Sequence, residues 1–387
     1  NFRHGPDDLH DLPQFFAGER QPLDLTTHNC RIFAEITNAP SMSVAAIIAR
    51  AQQLRQDGAD VIDLGALPDM EFPHLEESVA ALQAEGFCVS TDSANYDELR
   101  RAAAAGCDYL LSLTEDTINL AFDFPAIPVI IPTRDSDPDS LYRAAEILQK
   151  KGKEFIADPL LMPIPFGLAR SIAAYQTCRL RLPSARILMG IGNVTELLDA
   201  DTTGVTAILF GVIAELGITE ILTVQDSPHC RRAIAEANHA RRVMAACHAA
   251  QRLPMNVDGG LMGLRSRLPN ALMPDDIAAI AAQIRDDNFR IEVSTDGIHL
   301  FNRSIHVIAP TAEAFYPHLA EHLSATNDVG HGFYLGGELA RAEIAFQLGK
   351  RYVQDESLDW GVAVEKQTRN SLAHAPKIVT KANKASP

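Results

Sequence analysis

The chain has 387 residues, 47% of them hydrophobic and 6% aromatic, and sets 34 Lys and Arg against 50 Asp and Glu for a formal charge of −16. This is the composition of a globular protein with room for one large domain or two smaller ones, and its acidity excludes nucleic acid or anionic lipid as the main partner. No run approaches the ~18–20 apolar residues that span a bilayer and no signal peptide is recognisable, so the expectation is a cytoplasmic protein without membrane contact.

Residues 1–29, opening without Met on NFRHGPDDLHDLPQFF, read as a lead-in left from a preceding domain. From residue 31 the chain alternates strand-like and helical stretches. RIFAEITN (31–38) precedes an amphipathic run, Val44 to Asp57, with Ser43 as its cap and Gly58 as its stop. ADVIDLGA, FCVSTDSA, CDYLLSLTE, IPVIIPTR (127–134), KEFIADPLLM (153–162), RILMGIGN (186–193) and ITEILTVQD (218–226) supply seven more strands, with a last helix near His229 to Gln251.

Eight strands alternating with helices over residues 30–252 predict a (β/α)₈ TIM barrel. The rival is an open doubly wound sheet, but TNAPSMS after the first strand is not its glycine fingerprint. Residues 253–274 are rich in Pro and Gly and read as a linker or excursion. A smaller C-terminal α/β domain follows over 275–365, with a helix from Asp275 to Asp286, a hairpin turning at Asp296-Gly297 and a helix near Leu335 to Leu348. The basic, polar tail 366–387 reads as disordered. Six cysteines without CxxC spacing read as reduced and structural.

A barrel gathers its chemistry at the C-terminal ends of its strands. Here those ends carry Asn38, Asp63, Asp92, Ser112, Asp158, Asn193 and Gln225-Asp226. Carboxylates converging on one bowl repel each other unless a donor-rich ligand or a cation lies between them. A neutral heterocycle with adjacent N–H and NH₂ groups meets a carboxylate through two parallel hydrogen bonds, while Mg²⁺ is the alternative that Asn, Asp and Ser oxygens suit.

The ordered set EITNAP, GADVIDLGA, VSTDSANYDELRRAAAAG and IADPLLMPIPFG resembles the successive barrel motifs of dihydropteroate synthase and its pterin-binding relatives, over about residues 30–250. With HGFYLGGELARAEIAFQLGKRYVQDESLDWG (331–361) included, the chain looks like the branch found with tetrahydromethanopterin. The resemblance implies that Asp92 and Asp158 hold a pterin, that Asp63 lies near it, and that Asn38 helps place Mg²⁺ and diphosphate, with Asn38 and Asp92 as the catalytic pair. It implies a transferase condensing a dihydropterin-CH₂-diphosphate with an arylamine, with ribofuranosylaminobenzene phosphate as the expected acceptor. A homodimer is allowed.

The sequence also departs from that family. Leu111 and Ser112 stand where the synthases have an Asn-Asp pair, and Gly192-Asn193-Val194 and Val224-Gln225-Asp226 replace their cationic set. Asn193 is closer to the pterin-contacting Asn of the methyl-tetrahydrofolate transferases. Positive charge for a diphosphate is sought instead in Arg134 and in His229, Arg231 and Arg232, with a solvated helix face as the other reading of the two arginines. Two further functions stay open: a pterin-dependent methyltransferase with a corrinoid partner, and a non-catalytic pterin-binding protein. His299, His306, His318, His322 and His331 follow no ligand spacing and read as ordinary surface or core histidines. Leu339, Ile344, Ala345 and Leu348 read as a core-facing stripe, with Gln354–Glu356 as an alternative cover for the barrel mouth.

Overall fold

The computed structural model describes residues 22–66, 70–320 and 329–365; the lead-in before residue 22, the tail 366–387 and His322 lie outside the described residues. Eight parallel strands close into a barrel in sequence order: β1 (Arg31–Ile36), β2 (Val61–Gly65), β3 (Val89–Asp92), β4 (Tyr109–Leu113), β5 (Ile127–Ile130), β6 (Ile156–Ala157), β7 (Arg186–Gly190) and β8 (Glu220–Thr223). Closure is made where β1 pairs with β8, Arg31 opposite Glu220.

The helices α1 (Val44–Asp57), α2 (Leu75–Ala84), α3 (Tyr96–Ala104), α4 (Leu120–Asp123), α5 (Asp139–Lys150), α6 (Leu168–Arg181), α7 (Gly192–Thr195), α8 (Thr202–Leu216) and α9 (Ala233–Ala249) connect the strands or follow the last of them. Helix α1 has the predicted bounds for a local reason. The Ser43 side chain accepts from the Ala46 amide at 3.3 Å, and Gly58 ends the helix at φ 115°, a conformation that glycine adopts without strain.

Side chains alternate across each strand, so one face of the barrel wall points inward. Phe33, Val61, Tyr109, Leu111, Val129, Ile156 and Leu188 form the apolar interior. Below them, at the strand starts, Arg186 binds Glu220 at 2.5 Å and Arg31 meets the Tyr109 hydroxyl. Glu220 is 1% exposed, so this charged layer plugs the lower end.

The C-terminal unit has the helix α10 (Pro274–Ala281), an antiparallel sheet of β9 (Arg290–Ser294), β10 (Gly297–Phe301) and β11 (His306–Ala309) in the order β11-β10-β9, and the helix α11 (Val329–Leu348). Its core joins Ile291, Val293, Ile298 and Leu300 to Leu335, Leu339, Ala342 and Ala345. The buried stripe of α11 therefore runs 335, 339, 342, 345, and Ile344, expected in it, is 41% exposed. The β9–β10 turn falls on Thr295-Asp296, because Gly297 already pairs with Ser294.

All six cysteines are free. Among the described residues, no helix is long and apolar enough to cross a membrane. The excursion after α9 is pinned: His239 Nε2 meets Asp258 at 2.6 Å, and the Val362 amide donates to Gly260 O at 2.8 Å.

Candidate functional site

Above the apolar interior the barrel opens into a bowl, a cavity of about 380 Å³, within the size range of small-molecule sites. Leu111, Val129, Leu188 and Leu222 make its floor. Asp92, Ser112, Asp158 and Asn193 stand on its wall, with Glu35, Thr37, Glu196 and Asp226 also lining it.

Each wall group is fixed by its neighbours. Asp158 follows β6 and is 7% exposed. Its Oδ1 accepts from the Tyr175 hydroxyl at 2.7 Å and from the Leu160 amide at 2.8 Å. Its Oδ2 has no hydrogen-bond partner among the described residues. Burial pushes this carboxyl up to about 6, with Asp92 adding to the rise and the Tyr175 and Leu160 hydrogen bonds opposing it.

Asp92 ends β3. Burial raises its carboxyl above the ordinary range, and a hydrogen bond from Ser112 opposes the shift. Ser112 lies where the β4–β5 register slips, at φ 78°, so an irregular strand end supplies the hydroxyl. Asn193 sits in α7 and donates its amide to Leu161 O at 2.9 Å, which leaves its side-chain oxygen for a ligand.

Asp63 lies deeper. It is wholly buried, its Oδ1 accepts from Ser90, and its Oδ2 has no partner. Burial, then the Asp92 and Glu35 carboxylates, raise it well above the usual range, opposed by the Ser90 hydroxyl. Burial and neighbouring carboxylates both favour the neutral form of such an acid over the charged one.

Glu35 was not among the expected site residues. It follows the inward-facing Phe33 by two positions in β1, so strand alternation alone aims it at the bowl. Burial, then Asp92, Asp226 and Glu196, push its carboxyl up to about 7. It lies over Gly65, where an added Cβ would stand 2.5 Å from Glu35 Oε1.

The other expected residues stand elsewhere. Asn38 is exposed at the start of the 3-10 turn Ala39–Ser41, with no side-chain cap bond, so the chain has turned out of the bowl one residue after Thr37. Gln225 follows the cavity-lining Val224 and faces the opposite way, donating to Asp57 at 3.2 Å and accepting from the Ile234 amide at 3.3 Å. Arg134 is exposed in the loop after β5.

His229, Arg231 and Arg232 line a different cavity, because the 3-10 turn Pro228–Cys230 carries the chain away from the bowl before α9 begins. Gln354, the alternative mouth cover, is tied inside the C-terminal unit by Ile291 N at 2.9 Å and the Tyr334 hydroxyl at 3.0 Å.

Among the described residues, no group of three or more His, Cys, Asp or Glu side chains is arranged to hold a metal ion. With Asn38 turned outward as well, the residues present do not fit a ready-made Mg²⁺ site. Two histidines of the C-terminal unit contact one another instead: His299 meets His306 at 3.0 Å and Asp296 at 2.8 Å, while His331 packs against Phe289 and Tyr334.

A family described as PterinBD-DUF4346 matches residues 285–355, within the C-terminal unit. An uncharacterized protein of Methanocaldococcus jannaschii is 26% identical over 370 residues, covering 85% of this chain and 69% of that protein. Among solved structures, the chain is similar to a Xanthomonas albilineans dihydropteroate synthase in complex with 7,8-dihydropteroate: 19% identity, 60% of this chain and 97% of that one, TM-score 0.44. A Yersinia pestis dihydropteroate synthase with a pterine-sulfa conjugate is similar at 17% identity, over 58% of this chain and 96% of that one, TM-score 0.45. The chain is thus similar to a pterin-domain family over its C-terminal unit and to an archaeal relative over most of its length.

Proposed function

We propose that the protein is a cytoplasmic dihydropteroate synthase-like transferase of tetrahydromethanopterin biosynthesis. It would condense a dihydropterin-CH₂-diphosphate with an arylamine, ribofuranosylaminobenzene phosphate being the acceptor proposed, and release diphosphate. The observation that carries the reading is the free Oδ2 of Asp158, held over an apolar floor with Asp92 on the same cavity wall. A flat, neutral heterocycle fills such a floor, and its adjacent N–H and NH₂ donors match a carboxylate whose other oxygen is already committed.

In the reaction the arylamine nitrogen attacks the exocyclic methylene, the C–O bond breaks, and diphosphate leaves with its electron pair. The nitrogen then sheds a proton, and Glu35, poised near neutrality beside the bowl, is the residue proposed to accept it. Asn193 would offer its side-chain oxygen to the ring.

A second reading has one observation in its favour. Among the described residues, the bowl is lined by no Lys, Arg or His, the groups that ordinarily stabilise a departing diphosphate. A pterin-dependent methyl transfer to a corrinoid partner has no such leaving group.

The test is diphosphate release by the full chain with dihydropterin-CH₂-diphosphate, comparing 4-aminobenzoate with its ribofuranosyl phosphate derivative and using Asp158→Asn as control. Release with the phosphorylated arylamine, abolished in the variant, supports the synthase. Pterin binding without release, together with methyl transfer from a methyl-pterin to free cobalamin, replaces it with the second reading.

A further inference from the structure

We propose a second ligand site, for a phosphate monoester carried on a flat apolar body, in the cavity between the start of α9 and the segment 360–364. It is the larger of the two, about 680 Å³, and it is separate from the bowl. Helix α7 divides them: Glu196 lines the bowl, while the carbonyl of Thr195 meets His229 Nε2 at 3.1 Å on the other side.

The wall is basic in a way the fold does not use up. Arg232 is committed to Asp57 at 2.8 Å and to Glu365 at 3.3 Å. Arg231 and Arg265 also line the cavity and, among the described residues, have no ion-pair or hydrogen-bond partner. Glu236 on the same wall is buried and already accepts from the Thr202 and Thr203 hydroxyls at 2.6 and 2.9 Å, while Asp201 is the one exposed carboxylate among the described lining residues. Arg231 and Arg265, both exposed and unpaired among the described residues, line the cavity together with His229 and offer guanidinium donors to a dianion, which phosphate accepts through charge-assisted hydrogen bonds.

The opposite side is apolar and built. Leu261, Leu264, Trp360 and Val364 line it. Its two segments are locked together: a Cβ on Gly361 would fall 2.2 Å from Gly260 O. Lys350 donates to Gly263 O at 2.7 Å and lies 4.5 Å from the Trp360 ring centre. A ligand with its anion on the arginines and a planar body against Trp360 would satisfy both halves. The inference does not rest on the pterin reading.

Trp360 is the chain's single tryptophan, so its fluorescence reports occupancy directly. The full chain is titrated with phenyl phosphate, with benzoate and inorganic phosphate as comparisons. The expected result is a saturable change with phenyl phosphate, at least tenfold weaker in Arg231→Gln/Arg265→Gln and unchanged in Asp158→Asn. No saturable change, or equal affinity in the double variant, overturns the site. Benzoate binding as tightly overturns the phosphate class, and inorganic phosphate binding as tightly overturns the apolar body. Loss of pterin binding in Asp158→Asn with the phenyl phosphate response intact tests the bowl alone.

Discussion

The phenol of Tyr175, wholly buried in α6, donates to Asp158 Oδ1 at 2.7 Å and thereby decides which oxygen of that carboxylate faces the bowl. The bond also opposes the rise that burial imposes on Asp158, which stands at about 6. In Tyr175→Phe the carboxyl moves higher still. If the proposed pterin ligand is held by the ionised form, its binding is expected to reach its midpoint at a pH up to about one unit higher, equivalent to ~1.4 kcal/mol. Pterin fluorescence titrations between pH 5 and 8 measure this; an unmoved or lowered midpoint removes the assigned role of Asp158.

Glu35, at about 7, and Asp158, at about 6, make stability pH-dependent. Both are acids raised on folding, so between about pH 4 and their folded values the native state holds more protons than the unfolded one. Stability is therefore full below about pH 4 and declines as pH rises through 6 and 7, by on the order of 3 kcal/mol for each group. Glu35→Gln is expected to raise the melting temperature at pH 8 and to change it little at pH 4. A larger gain at the acidic end contradicts the assignment.

The glycine at 65 leaves room for the Glu35 carboxylate. In Gly65→Ala the new methyl falls 2.5 Å from Glu35 Oε1 and 3.2 Å from the Thr37 Cα, so something must shift. A loss of about 1–3 kcal/mol is expected. Glu35→Ala in the same chain removes the nearer contact and is expected to recover a large part of it. Purely additive effects in the unfolding cycle would place Glu35 away from Gly65.

Arg241 acts as a pin rather than a ligand. It is 4% exposed and ties α9 to β1 and the α1–β2 turn, through Cys30 O at 2.9 Å, Gly58 O at 3.1 Å and the Asp60 carboxylate. Arg241→Met removes these donors and is expected to cost about 2–3 kcal/mol, with Asp60 partly screened by solvent. Chemical denaturation should show the loss while pterin affinity, measured on the folded fraction, stays unchanged.

The barrel was legible because its signals are local: Ser43 and Gly58 bound α1, and polar residues recur at the C-terminal ends of the strands. Asp92, Ser112, Asp158 and Asn193 reach the bowl from those ends. Glu35 was passed over because it sits inside a strand, as one polar residue in an apolar run. The alternation from Phe33 was the signal that could have found it. Gln225 shows the reverse error, since the same alternation from Val224 sends it outward. Arg231 and Arg232 stand close in sequence to the end of β8, but the direction of the intervening 3-10 turn depends on packing and is not written in spacing.

The layer of Arg186, Glu220, Arg31 and Tyr109 closes the barrel from below. With one end shut, everything that reaches the leucine floor enters and departs by a single doorway. A ring lying on that floor blocks nothing behind it, whereas a second reactant above it bars its escape. In the proposed synthase turnover is therefore sequential with a compulsory order: the heterocycle arrives first, and the joined product leaves only after the diphosphate has cleared the opening.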